Sequence, residues 1–330
     1  HLSIRRQRQM CIRDRSCTFL NHFIVFGAKG SGRFFVSGLL DAGSYDALDF
    51  ATAEARPDAI VQVFAHDNAV WLFGERTTEV WWNAGAVGFP FERVSGGIIE
   101  IGCVAGSVAA VDASVYWLGD DGMVYKADGF RPRRVSTHAI EHLVGSRTSP
   151  RAWAYKDEGH AFYVLGFDQG AVVYDAATGL WHERESFTAG RWRADTYARA
   201  YGRHLVGDFL LGRIYEMSLE HHSDGDTALQ RRAISPPVHA NGAPVFLSKL
   251  QVAFEHGVGL TQGQGEDPKV VLDWSDDGGR SWSDERWASI GRIGEYRKRA
   301  IWRRLGRFRS RSFRLTYSEP TPFAIHGAVT

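Results

Sequence analysis

WLGDDGMVY, at residues 117–125, places two short apolar runs on either side of a turn that contains an Asp-Gly step. Glycine adopts a positive φ at little cost, so this arrangement predicts a β-hairpin. The pattern of two apolar residues, a glycine, a turn and a second apolar run occurs five times, at Val25-Phe26-Gly27, Leu72-Phe73-Gly74, Trp117-Leu118-Gly119, Val164-Leu165-Gly166 and Leu205-Val206-Gly207. The glycines lie 47, 45, 47 and 41 residues apart. Paired strands that repeat about every 45 residues predict a β-propeller with about five recognisable blades.

Composition divides the chain into four segments. Residues 1–17 are rich in arginine and show no strand alternation, so they are either non-native sequence or a disordered basic arm that binds an acidic partner. Residues 18–220 contain the propeller repeats, and residues 221–239 form a polar, turn-rich linker. Apolar alternation resumes at Val245–Phe254, so residues 240–330 are predicted to form a small C-terminal β-domain, a sandwich. The fold class is therefore all-β.

The net charge of +1 conceals a strong asymmetry. Residues 291–314 carry ten Lys and Arg against one acid, Glu295, and residues 1–15 carry five Arg against Asp14. Residues 16–290 then hold 24 basic and 35 acidic side chains, a net charge of −11. Such a distribution concerns the partners of a protein rather than its fold. No apolar run approaches the length of about eighteen residues that a membrane-spanning helix needs, so no membrane partner is predicted.

An Asp-box motif lies in the C-terminal domain, where Ser275, Asp277, Gly279 and Trp282 match its spacing. In this motif the aspartate accepts backbone N–H bonds within a turn, the glycine adopts a conformation closed to other residues, and the tryptophan covers the hairpin. We therefore predict a structural role. Asp-boxes also recur in sialidases, so an alternative interpretation is a carbohydrate-binding or glycosidase-like propeller.

A basic run with interleaved aromatic residues follows the Asp-box. Three interpretations stay open: an interface with an acidic subunit or partner, which we favour, a solvated face, and direct contact with nucleic-acid phosphates. The alternation of arginine and aromatic residues slips along the run, because Arg309 and Arg311 share the parity of Phe313 and Leu315. The candidate contact residues are Arg297, Arg299, Arg303, Arg304, Arg307, Arg309 and Arg311.

Catalytic and cofactor motifs are not evident. His221, His222, Asp224 and Asp226 lie in one short polar stretch without a second ligand group, so a solvated linker is favoured over a metal site. The sequence has no phosphate-binding loop, no HExxH, no GxSxG and no paired-cysteine zinc spacing. We therefore predict a protein that is not an enzyme and that binds no cofactor or metal.

Several segments, taken together, resemble the packaged-DNA stabilisation proteins, or tail hub and nozzle proteins, of short-tailed bacteriophages. The resemblance covers most of residues 18–330 and is carried by Leu48–Asp58, Leu72–Glu75, Glu79–Trp81, Phe89–Arg93, Gly102–Ala105, Trp117–Gly122, Ile293–Tyr296 and Arg303–Gly306. Members of that family carry more chain before the segment like Thr18. The resemblance thus implies an N-terminally truncated sequence, in which closure of the propeller is an open question.

The resemblance also implies a function. Such a protein is expected to form a ring, six subunits in number, below the portal of the virion tail, after assembly in the bacterial host cytoplasm. The ring would extend the DNA channel and retain the packaged genome. The implied partners are the portal or adaptor ring, other tail proteins, further copies of the chain, and double-stranded DNA that passes non-specifically through the lumen.

Overall fold

The computed structural model describes residues 14–28, 30–46, 50–53, 56–86, 88–187 and 189–329. The predictions made for the basic arm fall largely on residues 1–13, which lie outside the described residues. Four residues of the resembling motifs, at 48, 49, 54 and 55, lie outside them as well.

Four antiparallel sheets of four strands form the first part of the chain. In each sheet the strands follow one another in sequence order, as in a propeller blade. The first two sheets comprise β1 (Asp14–Leu20), β2 (Phe23–Ala28), β3 (Arg33–Val36), β4 (Phe50–Thr52), β5 (Ile60–His66), β6 (Ala69–Gly74), β7 (Thr78–Asn83) and β8 (Phe91–Ile99). The next two comprise β9 (Ala109–Val111), β10 (Ser114–Leu118), β11 (Val124–Asp128), β12 (Arg131–Arg134), β13 (Arg151–Asp157), β14 (His160–Phe167), β15 (Gly170–Asp175) and β16 (Leu180–Arg184).

A fifth sheet has three strands, β17 (Ala194–Ala200), β18 (Arg203–Asp208) and β19 (Ile214–Met217). All five hairpins predicted from the glycine-marked repeats are present, as β2–β3, β6–β7, β10–β11, β14–β15 and β18–β19. In the third hairpin Leu118 pairs with Val124, and Gly122 in the turn has a φ of 79°. The prediction of a propeller is therefore confirmed at the level of its repeating sheets.

Hydrophobic cores lie between successive sheets. The strand β10 shows why, because all five of its residues are buried. Val115 and Trp117 join the core shared with the second sheet, whereas Tyr116 and Leu118 join the core shared with the fourth. A strand that is covered on both faces reads as a continuous apolar run rather than as an alternating one, which is the pattern that the repeats show.

The first strands of the first two sheets are neighbours. The Val63 N–H in β5 donates to Ser16 Oγ in β1 at 2.6 Å, and the Ala65 N–H donates to Thr18 Oγ1 at 3.0 Å. The strand β1 begins at Asp14, so residues 14–17 belong to the first sheet and not to the arm to which the sequence prediction assigned them. A helix, α1 (His138–Gly145), follows the third sheet and is capped by Thr137.

Two sheets at the C-terminal end form the β-sandwich. One contains β22 (Arg231–Ile234), β28 (Ser310–Tyr317), β25 (Lys269–Ser275) and β26 (Arg286–Ser289), with β23 (Val238–His239) also paired to β28. The other contains β27 (Ala300–Phe308), β24 (Val245–Phe254) and β29 (Ile325–Val329). Residues such as Leu250, Leu272, Trp302 and Phe313 fill the core of this domain. The segment predicted as a linker, residues 221–239, contains a short hairpin, β20 (Ser223–Asp224) and β21 (Thr227–Ala228). It also contains β22 and β23, so the sandwich begins before the predicted residue 240.

By contacts between Cα atoms, the chain divides into two compact units. One extends to Glu185 and includes Ala189–Ala198 and Val206–Ile214. The other consists of Ser186–Thr188, Arg199–Leu205 and Tyr215–Thr330. Within the described residues, no helix combines the length and the hydropathy that a membrane crossing requires.

Candidate functional site

The Asp-box forms the turn between β25 and β26. The Ser275 hydroxyl donates to Asp277 Oδ1 at 2.7 Å, and the Gly279 N–H donates to Ser275 Oγ at 2.8 Å. Asp277 Oδ1 also accepts from the N–H groups of Arg280 and Ser281, both at 2.9 Å, and Asp277 Oδ2 accepts from the Ser281 hydroxyl at 2.5 Å. The hydrogen bond from the Ser281 hydroxyl is the main reason that the pKa of Asp277 lies well below its ordinary value. Both carboxylate oxygens are thus engaged within the turn.

Gly279 and Trp282 complete the motif. Gly279 has a φ of 92°, a conformation that side chains with a Cβ rarely adopt. The ring of Trp282 is half-buried and lies 3.8 Å from the Arg314 guanidinium carbon in a cation–π contact. Arg314 in turn forms a bidentate ion pair with Asp273, a buried residue of the neighbouring strand β25. The tryptophan therefore covers an ion pair rather than an open groove.

Arg311 has a different environment from the one that the sequence predicted for it. Its residue exposure is only 4%, and its guanidinium forms two 2.6 Å hydrogen bonds to the carboxylate of Asp276 within the Asp-box turn. It also donates to the carbonyl oxygen of Leu305 and lies over the rings of Trp274 and Phe308. Arg311 is therefore a buried structural residue, and its assignment to a contact surface is corrected.

A β-bulge interrupts the regular alternation of buried and exposed residues in β27. Leu247 pairs with Gly306 and Lys249 pairs with Arg303, so the single residue between them in β24 faces two residues of β27. Arg304, one of those two, has a φ of 57°, and Gly306 has a φ of 79°. The buried residues of β27 consequently fall three apart, at Trp302, Leu305 and Phe308.

The outer side of the sheet β27–β24–β29 carries a surface that we call the basic face, consisting of Lys249, Arg303, Arg304, Arg307, Phe246 and Ile301. Lys249 lies opposite Arg303, and Phe246 lies opposite Arg307, whose guanidinium is 5.6 Å from the phenylalanine ring. The three strands of this sheet contain no Asp or Glu. The face therefore presents uncompensated positive charge next to exposed apolar side chains.

The other predicted contact residues are exposed around this face. Arg297 and Arg299 precede β27, and Arg309 lies between β27 and β28. Within the part of the chain that the structure describes, no ion pair is formed by Arg297, Arg299, Arg303, Arg304, Arg307 or Arg309. Six of the seven predicted arginines are thus available on the surface.

Arg286 is a residue of this region that the sequence did not single out. Its Nη1 donates to the carbonyl oxygens of Arg303 and Arg304, at 3.0 and 3.3 Å, and its guanidinium lies 4.8 Å from the ring centroid of Trp274. It thereby fixes the backbone of the bulge that presents the two arginines. Neither Arg286 nor Lys249 carried a local signal, because Lys249 joins the face by pairing with Arg303 and Arg286 reaches β27 from a strand of the other sheet.

Three cations in the propeller-type part of the chain, Arg151, Lys156 and Arg191, have a contrasting environment. Arg151 is bonded to Asp168, and its Nε lies 2.8 Å from Asp195 Oδ1. Arg191 contacts the same two aspartates, and Lys156 Nζ lies 2.5 Å from Asp112 Oδ1. The hydrogen bond from Arg151 is the main reason that the pKa of Asp168 is lowered. These cations are neutralised locally.

Repeated four-stranded sheets followed by a β-sandwich define a propeller-type protein with an appended sandwich domain. A family model described as "Bacteriophage P22 Gp10, beta-propeller" matches residues 13–222, and one described as "Bacteriophage P22 Gp10, beta-sandwich" matches residues 230–329. The chain belongs to the bacteriophage P22 Gp10 family of packaged-DNA stabilisation proteins. The resemblance deduced from the sequence is thereby confirmed.

Solved structures with similarity to the chain include propellers. The computationally designed Ika8 protein is 18% identical, with a TM-score of 0.38, over 62% of this chain and 61% of its own. The Dos1 propeller is 9% identical, with a TM-score of 0.42, over 62% of this chain and 57% of its own. The chain thus spans less than two thirds of either structure. No curated protein matches the chain.

Proposed function

We propose that this protein is a structural subunit of the phage tail that does not act as an enzyme. It forms a ring, with six copies expected, below the portal or adaptor ring, extends the DNA channel and retains the packaged genome. Membership of a phage stabilisation family supports a role in the virion. The ring, its copy number and its neighbours are parts of the proposal.

The contrast between paired and unpaired cations carries this proposal. Duplex DNA must slide through a tail channel, so a channel wall with free cations would retard it through its phosphates. Arg151, Arg191 and Lys156 in the propeller-type part of the chain are each paired with aspartates. Residues 16–290 as a whole carry a net charge of −11. Both features suit a wall that DNA passes without binding.

The basic face of the sandwich serves assembly in this proposal. Arginine pairs well with carboxylates because its planar guanidinium donates two parallel hydrogen bonds. Arg303, Arg304 and Arg307 are exposed, and Phe246 and Ile301 add apolar area beside them. Such a surface fits an acidic patch on a neighbouring subunit or tail protein.

Charge reversal tests the proposal. The double variant Arg303→Glu/Arg304→Glu should fail to assemble onto tails, and the particles should lose their DNA. The matched control is Arg232→Glu, because Arg232 is an exposed arginine on the other sheet of the sandwich. Electron microscopy of the protein bound to its portal should show a sixfold ring for the wild type and the control. Normal assembly and DNA retention by the double variant would contradict the proposed interface.

A further inference from the structure

A cavity of about 660 Å³ lies between the outer strands of the first two sheets. It is bounded by Phe50 and Thr52 of β4 on one side, and by Arg93, Ser95 and Ile98 of β8 on the other, with Trp81 of β7 at its base. Its volume falls in the range of about 300–1,000 Å³ that is typical of ligand sites. Neither the family description nor the proposed assembly role assigns a function to it.

A large bulge in β8 opens this cavity. Glu79 pairs with Ile98 and Trp81 pairs with Arg93, so one residue of β7 faces the four residues 94–97 of β8. Gly96 within the bulge has a φ of 76°. A Cβ at Gly97 would lie 3.1 Å from the carbonyl oxygen of Val80. Bulges of this kind redirect side chains and interrupt pairing, and they are frequent next to binding sites.

The Arg93 guanidinium at the cavity forms an ion pair without a hydrogen bond. Glu79 is only 2% exposed, and its Oε2 accepts a 3.0 Å hydrogen bond from Trp81 Nε1. Arg93 Nη1 lies 3.8 Å from the same oxygen, beyond hydrogen-bonding distance, and its side chain is 40% exposed. Within the described residues the Arg93 guanidinium donates no hydrogen bond. Its donors are therefore available to an incoming carboxylate.

Two open strand edges border the cavity. Both β4 and β8 are the last strands of their sheets, so among the described residues no strand pairs with their outer edges. Their unpaired N–H and C=O groups are a template for an added strand. Phe50 and Ile98 are 37% and 43% exposed and offer apolar contacts on the two sides.

We propose that this cavity binds an extended peptide segment of a partner protein, in which an acidic residue stands between apolar ones. The backbone of the segment pairs with an open edge, its apolar side chains contact Phe50, Trp81 and Ile98, and its carboxylate accepts hydrogen bonds from Arg93. The site lies in the propeller-type sheets and is independent of the basic face.

The test uses fluorescein-labelled hexapeptides of sequence Gly-Ser-Leu-Asp-Leu-Ser and Gly-Ser-Leu-Asn-Leu-Ser with the full chain, followed by fluorescence polarisation. The Asp peptide should bind the wild type about tenfold or more tightly than the Asn peptide, because the amide of Asn lacks the negative charge that pairs with the Arg93 guanidinium. Arg93→Gln should weaken binding of the Asp peptide by a similar factor, and Ile98→Ser should weaken both peptides.

Arg131→Gln is the matched control, since Arg131 is an exposed arginine on the outer strand of the third sheet. It should leave the affinity for both peptides unchanged. Equal binding of the Asp and Asn peptides to the wild type would overturn the proposal, and this comparison does not depend on the folding of any variant. Failure of the Asp peptide to bind at millimolar concentration, or undiminished binding by Arg93→Gln, would overturn it as well.

Discussion

Arg311 and Asp276 form a bidentate ion pair that joins the strand β28 to the Asp-box turn, with both N···O distances at 2.6 Å. Removing the carboxylate leaves a buried guanidinium without its counter-charge. Because Asp276 itself is half-exposed, we expect Asp276→Asn to lower the free energy of unfolding of the sandwich by about 1–3 kcal/mol. Hydrogen exchange of peptides from β25 and β28 measures this loss. Asp284→Asn, which changes an exposed acid of the same connection, should have little effect.

The Asp-box should make the sandwich sensitive to acid. The pKa of Asp277 in the folded chain lies well below its ordinary value of 3.8, so the folded state favours the ionised carboxylate. The resulting stabilisation is complete above the ordinary value and is lost as the pH falls from there towards the folded pKa. At pH 7 the amides of Arg280 and Ser281 should therefore be better protected from hydrogen exchange in the wild type than in an Asp277→Asn variant. The difference should shrink below pH 3.8, and a constant difference would contradict this origin.

The backbone conformation at Gly306, beside the bulge in β27, should disfavour a residue with a Cβ. Its φ of 79° is costly for any other residue, so Gly306→Ala should destabilise the sheet by about 1–2 kcal/mol. The matched control is Gly327→Ala in β29, since Gly327 has no positive φ and a Cβ there would meet no atom within 4 Å. Exchange rates of amides in β24 and β27 report both effects. Equal effects of the two substitutions would argue against the conformational cause.

Mutation can remove the carboxylates that neutralise Arg151 and Arg191 in the propeller-type part of the chain. The double variant Asp168→Asn/Asp195→Asn removes the carboxylates that contact Arg151 and Arg191. We expect it to bind duplex DNA more tightly than the wild type at low salt, with an affinity that falls steeply as salt is added. Asp41→Asn/Asp284→Asn changes the net charge equally, and neither carboxylate has an arginine partner among the described residues. DNA affinity that rises equally in both variants would show a general charge effect instead.

Local patterns carried most of the fold prediction. The five hairpins were visible because glycine, turn residues and apolar runs follow one another within about a dozen residues. The strand β24 (Val245–Phe254) was predicted with its observed bounds, because its apolar residues alternate from Leu250 through Val252 to Phe254. The start of β1 was missed, since the Val63 and Ala65 donors that hold Ser16 and Thr18 come from a strand much farther along the chain.

The candidate sites were predicted less completely, because their partners are distant in sequence. Asp276 is 35 residues from Arg311, so burial of that arginine could not be read from the basic run. Lys249 joins the basic face only by lying opposite Arg303. The slip in parity was visible in the sequence, but only the structure showed its cause, which is the burial of Arg311 on the same face of β28 as Phe313. The cavity beside Arg93 likewise depends on the register between β7 and β8.

Arg311 joins its own strand to a turn and to a strand of the opposite sheet, and this has a mechanical consequence. From β28 it holds the turn between β25 and β26 through Asp276, and it reaches the Leu305 carbonyl in β27 of the opposite sheet. A tensile load applied to the arginines of β27 is therefore shared by both layers of the sandwich. Rupture would require the ion pair and several ladder hydrogen bonds to break together, rather than one strand to peel away bond by bond.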